Sequence, residues 1–130
     1  MNDRRAELEA VTVKFVTAFN EMNLDNVVST FAEDGIYEDS TGGSHQGHDA
    51  IRTAFTPLVG GAKGKIRFDG EDFFAEVDTG KVLISWHLNM EADENVAIVR
   101  GIDVLHFNAD NSLAKKMAYM KVDKPHLENT

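Results

Sequence analysis

The sequence predicts an α+β domain in which helices pack on one face of a curved antiparallel sheet. Three observations predict it. Apolar residues recur at three- and four-residue spacing near the start, the period changes to two from Lys65 onward, and turn signals divide the second half. At 130 residues there is room for one core and too little chain for two ordinary domains, so a single domain over residues 1–130 is expected.

Leu8, Val11, Phe15, Phe19 and Met22 fall on one stripe of a first helix. Asn23 or Asp25 suits the cap of a short second helix carrying Val27, Val28 and Phe31, with Gly35 as its stop. Ile36 to Asp39 alternates like a short strand, Ser40 to Gly47 is polar and glycine-rich like a loop, and Asp49 to Phe55 reads as a third helix closed near Pro57 and Gly60-Gly61. Strands are expected over Ile66 to Ala75, Val82 to Glu91, Val96 to Phe107 and Leu113 to Val122. Asp78-Thr79-Gly80, Asp93-Glu94-Asn95 and Ala109-Asp110-Asn111 form the turns between them. The tail after Lys124 adds nothing to this pattern.

Composition narrows the partners. There are 22 acidic and 13 basic residues, a formal charge of -9, so a phosphate backbone or an anionic membrane lacks the clustered Lys and Arg it would need. Cysteine is absent, which removes disulfides, thiol nucleophiles and thiolate metal sites. Met1 to Arg5 lacks the apolar region of a secretory signal, and no run approaches the roughly 20 apolar residues of a membrane span. A cytoplasmic protein with small-molecule or protein partners is the expectation, with no cofactor and no metal.

A curved sheet closed by helices leaves a concave interior of the kind small ligands occupy. If Trp86, Leu88 and Met90 point inward, then Val99, Asp103, Leu105 and Phe107 do so on the following strand, and Asp103 is a carboxylate in an apolar row. Burying it is costly unless it is protonated or paired, so it either faces in with a raised pKa or turns to solvent through a register shift. Asp39 offers the same choice, inward beside Tyr37 or solvated at a strand end. On the opposite face Ile98, Ile102 and Val104 join His87 and His106, an apolar outer surface that suits a homodimer.

At these two acids the sequence resembles a known family. Phe31-Ala32-Glu33-Asp34-Gly35-Ile36-Tyr37-Glu38-Asp39 is similar to the helix end and first strand of bacterial ketosteroid isomerase. Gly101-Ile102-Asp103-Val104-Leu105-His106-Phe107 with Met117-Ala118-Tyr119 resembles its last two strands, and Gly47 to Phe55 its third helix. The likeness runs over residues 5–122, which become the expected core of the domain. It implies the cone-shaped nuclear transport factor 2-like fold, shared by SnoaL-like cyclases, in which a curved sheet wraps around three N-terminal helices.

The resemblance also implies roles. Asp39 stands where the isomerase keeps its general base. Asp103 stands where it keeps a neutral carboxylic acid that donates to an enolate oxygen. Trp86, Leu88, Met90, Val99 and Met120 match apolar wall positions, and Phe31 and Phe55 are further candidate contacts, for a small hydrophobic, carbonyl-containing molecule. Phe15 replaces the oxyanion-hole tyrosine, Phe31 and Thr56 replace two supporting tyrosines, and Tyr37 is the nearest substitute donor. One lost donor costs roughly 10²–10³ in rate. Lys116 occupies an apolar wall position, either reaching to the rim or standing in the pocket as a cation paired with Asp39 or Asp103. The implied activity is proton abstraction beside a carbonyl, as in a steroid isomerase. The alternatives are a SnoaL-like cyclase using one aspartate as acid and base, or a non-catalytic ligand-binding or dimerisation module.

Other motifs carry less. Asp78-Thr79-Gly80 spells a protease triplet but reads as a hairpin turn. His45, His48 and Asp49 suit loop and cap positions better than a metal site. Arg100 and Asp103, three apart, face opposite sides of a strand, against an epoxide-hydrolase pairing of Arg and Asp.

Overall fold

Helix α1 (Arg4–Asn20) opens the chain in the computed structural model, which describes residues 3–122. The tail after Lys124 lies outside the described residues. Asp3 caps α1 by accepting from the Ala6 N–H, and Leu8, Thr12, Phe15, Ala18 and Phe19 face the core. The Thr12 hydroxyl donates to the Leu8 carbonyl at 2.7 Å, which allows a polar side chain on the buried stripe. Met22, expected to extend that stripe, sits beyond the helix with a positive φ of 53°.

Helix α2 (Leu24–Thr30) is capped by the Asn23 side chain and ends at Phe31, whose backbone is already extended. The expected stop at Gly35 is therefore displaced, and Phe31 begins strand β1 (Phe31–Glu38). Gly35 lies within β1, where a Cβ would come within 2.9 Å of the Ala32 carbonyl and 3.0 Å of the Leu113 carbonyl. The supposed loop contains a short strand, β2 (Ser44–Gln46), that pairs antiparallel with the end of β1. Helix α3 (His48–Val59) is longer than expected and carries Pro57 within its last turn.

The second half follows the alternation closely. Strands β3 (Lys65–Glu76), β4 (Lys81–Ala92), β5 (Asn95–Phe107) and β6 (Leu113–Met120) form the meander, and the sheet order is β2-β1-β6-β5-β4-β3. Beside the antiparallel pairs, β1 runs parallel to β6, a pairing the meander pattern does not announce. The sheet is curved and unclosed, with three helices against it.

Two irregularities decide which side chains face inward. In β3 the register shifts between Gly70 and Asp72, so Phe68 and Phe73 both turn to the core despite their odd separation. Between β5 and β6 it shifts between His106 and Phe107, so Leu113 and Lys116 are both buried although three residues apart. Along β4 the alternation is regular: Val82, Ile84, Trp86 and Leu88 are buried, as the inward parity requires. Phe15, Phe31, Leu8, Ile51, Ile66, Leu105 and Leu113 are the largest fully buried side chains, each worth about 1.5–3 kcal/mol of burial.

Candidate active site

The inner face of the sheet and α1 enclose a cavity of about 330 Å³. Phe15, Val16 and Phe19 of α1, Phe68 and Phe73 of β3, and Ile84 and Trp86 of β4 make its apolar wall. Asp103 of β5 and Lys116 of β6 bring charge into it. Its rim includes the exposed residues Glu9, Val13, Glu71 and Asp72, so the mouth lies between α1 and the bulge of β3. Gly101 lies opposite Trp86, and a Cβ there would come within 2.4 Å of the indole; its absence lets the ring lie flat against β5.

Asp103 and Lys116 are the chemical centre of this space. Each is 4% exposed, and Lys116 Nζ stands 3.5 Å from Asp103 Oδ2. The second carboxyl oxygen, Oδ1, and the Trp86 indole Nε1 complete no hydrogen bond of good geometry among the described residues. Burial pushes the Asp103 pKa up, against the opposing pull of Lys116 and, to a smaller degree, of Trp86. Burial pushes the Lys116 pKa down, and Asp103 opposes that shift. Burial thus penalises the charged form of each group, while each favours the charged form of the other across 3.5 Å.

Lys116 is also ringed by aromatics. Its Nζ lies 4.6 Å from the Phe19 ring centre, 5.0 Å from Phe55, 5.4 Å from Tyr37 and 5.5 Å from Phe15. The rim position for this lysine is thereby replaced by a buried one. Tyr37 faces Lys116 across the parallel pair of β1 and β6 and stacks on Phe55 at 4.2 Å. Burial, then Asp103 and Asp39, hold its phenol well above the usual range, so it stays protonated.

Asp39 has other uses. It follows β1, outside the residues lining the cavity, and its Oδ1 accepts from the Thr41 N–H and hydroxyl and from the Gly43 N–H. Its Oδ2 accepts from His45 Nε2 at 2.9 Å. His45, then the loop donors, pull its pKa below the usual carboxylate range. Such a carboxylate is a weak base, and its visible task is to close the β1–β2 hairpin.

The remaining candidates separate by position. Phe15 and Trp86 meet the cavity, whereas Phe31, Phe55 and Leu88 form the core behind it. Met90 and Val99 pack against that core farther along the sheet. Met120, expected on the wall, is instead exposed at the end of β6, where the Ser40 hydroxyl donates to its sulfur. Phe68, Phe73 and Ile84 line the cavity without having been singled out. The β3 bulge hides the first two from an alternation count, and Phe19 was visible only as part of the α1 stripe. His48 Nε2 donates to the Phe31 carbonyl, and Arg100 donates to His87 on the outer face.

The comparisons with known proteins agree with this architecture. The model of the SnoaL-like domain matches residues 12–115. The chain belongs to the SnoaL-like family. Among solved structures it is similar to SalBIII, described as an epoxide hydrolase/cyclase-like enzyme in pyran ring formation of the polyether salinomycin. The TM-score is 0.80 at 15% identity, over 91% of this chain and 93% of that one. It is also similar to a nuclear transport factor 2-like protein of unknown function from Mesorhizobium loti, with TM-score 0.74, 24% identity and 94% and 97% coverage. TerC, co-crystallised with polyporic acid, follows with TM-score 0.73, 13% identity and 88% and 91% coverage. At these identities the likeness speaks for the fold. No curated protein matches the sequence.

The buried pair in this SnoaL-like domain has a testable energetic signature. Breaking it from one side leaves the other group buried and uncompensated, which costs about 3–5 kcal/mol, whereas removing both is neutral or stabilising by about 1–4 kcal/mol. Asp103→Leu and Lys116→Met should each lower stability in urea denaturation, and the double variant should recover the wild-type value or exceed it. The pH dependence follows from the two directions. The raised Asp103 pKa opposes folding increasingly as pH climbs above the unfolded value of about 3.9. The lowered Lys116 pKa opposes it increasingly as pH falls below about 10.4. The advantage of the double variant should therefore be greatest between these limits. Additive losses in the double variant would contradict the pairing.

Proposed function

We propose that the protein is a small-molecule acid–base enzyme of isomerase, cyclase or lyase type, moving a proton at carbon beside a carbonyl of a hydrophobic substrate. The observation that carries this reading is Asp103. It is a buried carboxyl with one unpartnered oxygen, set in a cavity walled by Phe15, Phe19, Phe68, Ile84 and Trp86. A carboxyl kept neutral by desolvation donates to a carbonyl oxygen, and its conjugate base accepts the proton from the adjacent carbon. Lys116, 3.5 Å away, supports whichever charge state the step leaves behind. The Trp86 N–H, unpartnered and carried by a residue that lines the cavity, is a further donor for the developing enolate.

Asp103 in this reading serves as both acid and base, which is the single-aspartate alternative. The two-carboxylate scheme needs Asp39 to leave its hairpin hydrogen bonds. SnoaL-like membership and the cyclase-like description of SalBIII support ring-forming or isomerising chemistry. A steroid-type enone belongs to the same substrate class, but Phe15 and Phe31 pack edge to face at 5.7 Å where the resemblance implies tyrosines, and such an enone should turn over slowly.

Deuterium exchange at the α-carbon of 1-tetralone, a flat apolar ketone, tests the reading by NMR at neutral pH. The wild type should accelerate exchange over buffer, and Asp103→Asn should remove about 10²-fold or more of that acceleration. Asp39→Asn should change it by only a few-fold. No acceleration by the wild type, with tetralone bound, would instead favour a ligand-binding module. Equal losses in the two variants would restore Asp39 as base.

We further propose a homodimer through the outer sheet face. The register sets Phe74, Leu83, Val104 and Met117 in one row and Ser85, Ile102 and Tyr119 in the next. Phe74, Ile98 and Tyr119 are each more than half exposed. Apolar rows of that extent suit burial against a second copy. Light scattering at micromolar concentration should give twice the chain mass, and Ile102→Arg should give the monomer. A monomeric wild type would overturn the proposal.

A further inference from the structure

Proton transfer by Asp103 leaves the chemistry of Lys116 itself unused. Lysine is among the residue types least often buried, and here Lys116 lines the cavity while its amine stands inside a cluster of aromatic rings. The β5–β6 register shift turns it inward, while its neighbour Lys115 points the other way and pairs with Glu38 at 2.8 Å. An amine in apolar surroundings is a nucleophile when its proton is gone, and desolvation favours that loss. Carbon–nitrogen condensation also needs a proton carrier within reach, and Asp103 Oδ2 is 3.5 Å away. Any cation formed on the nitrogen would face the rings of Phe15, Phe19, Tyr37 and Phe55 at 4.6–5.5 Å, which stabilise positive charge.

We propose that Lys116 condenses with an aldehyde or ketone held in this cavity to form a Schiff base, with Asp103 carrying the protons. The Nζ lone pair attacks the carbonyl carbon, a C–N bond forms, and the C=O π pair moves to oxygen. That oxygen takes the proton of the Asp103 carboxyl, and the Asp103 carboxylate takes one proton from the nitrogen, giving a neutral carbinolamine. The same carboxyl then protonates the departing hydroxyl. The nitrogen lone pair closes the C=N bond as water leaves, and the iminium keeps the remaining N–H proton or returns it to the carboxylate. The net change is loss of one water from amine and carbonyl. An iminium withdraws electrons from the adjacent carbon more strongly than the carbonyl does, which eases the α-proton loss assigned to Asp103. The inference rests on the carbonyl-substrate reading above and deepens it.

The probe is 2-naphthaldehyde, which has no α-hydrogen, so trapping does not depend on proton abstraction from carbon. The whole protein is incubated with it and sodium cyanoborohydride at neutral pH, and the naphthylmethyl label is located by peptide mapping. Lys116 should carry at least about ten times the label of Lys115, its exposed-side neighbour. Lys116→Arg should remove that label, and Asp103→Asn should slow labelling at Lys116 by at least about tenfold while leaving the exposed lysines unaffected. Label at Lys116 equal to or below that at Lys115 would overturn the proposal, and this ratio decides even if the variants fail to fold. Labelling unchanged in a folded Asp103→Asn would overturn the role of Asp103 as proton carrier. Failed trapping beside Asp103-dependent exchange of tetralone would leave the acid–base reading standing. Trapping without exchange would do the reverse.

Discussion

The desolvation shared by Asp103 and Lys116 is the constraint on which the site depends. Either group alone in that cavity would be a large electrostatic cost, and together they reduce it by attraction across 3.5 Å and by shifting toward neutrality. A protein under selection for stability alone would fill these positions with apolar side chains. The pair places a polar centre at the cavity wall, and burial there raises the proton affinity of Asp103. The aromatic residues around Lys116 serve the same end, since rings exclude water while still offering a cation a favourable face.

The sheet makes that arrangement possible by breaking its own regularity. A perfectly alternating β6 with Leu113 inward would put Lys115 in the cavity and Lys116 outside. The shift at His106 and Phe107 exchanges them. The bulge at Gly70 to Asp72 does the same for β3, bringing Phe68 and Phe73 to one wall and opening the mouth beside exposed residues. The β3 bulge lies on the cavity wall, a place where bulges commonly re-aim side chains, and the β5–β6 shift acts on the cavity through Lys116.

Much of this was legible in the sequence. The period change at Lys65 located the meander, and the inward parity of Trp86 and Leu88 placed Asp103 in the apolar row where it is found. Residue-by-residue alternation could not reveal the bulges, because an inserted residue flips parity without a marked change in composition. For the same reason the burial of Lys116 stayed an open choice. The start of β1 was hidden because Phe31 satisfies a helical stripe as well as a buried strand position. The parallel pairing of β1 with β6 joins segments about 80 residues apart, beyond any local pattern. Asp39 looked like a pocket acid because its parity with Tyr37 is real. What parity omits is that Ser40 to Gly43 folds back to supply its carboxylate with hydrogen bonds.

The protonation of Asp103 is the property on which the acid–base reading, the pairing energy and the proton-carrier role all rest. Carbon-detected NMR of the labelled Asp103 carboxyl, titrated across the acid and neutral range and assigned by its loss in Asp103→Asn, measures it directly. The account requires the carboxyl to hold its proton well above the ordinary aspartate value of about 3.9, with a further upward shift when Lys116 is replaced by Met. A carboxyl that titrates near 4, and whose midpoint does not respond to Lys116→Met, would mean a solvated group uncoupled from the lysine and would contradict the account.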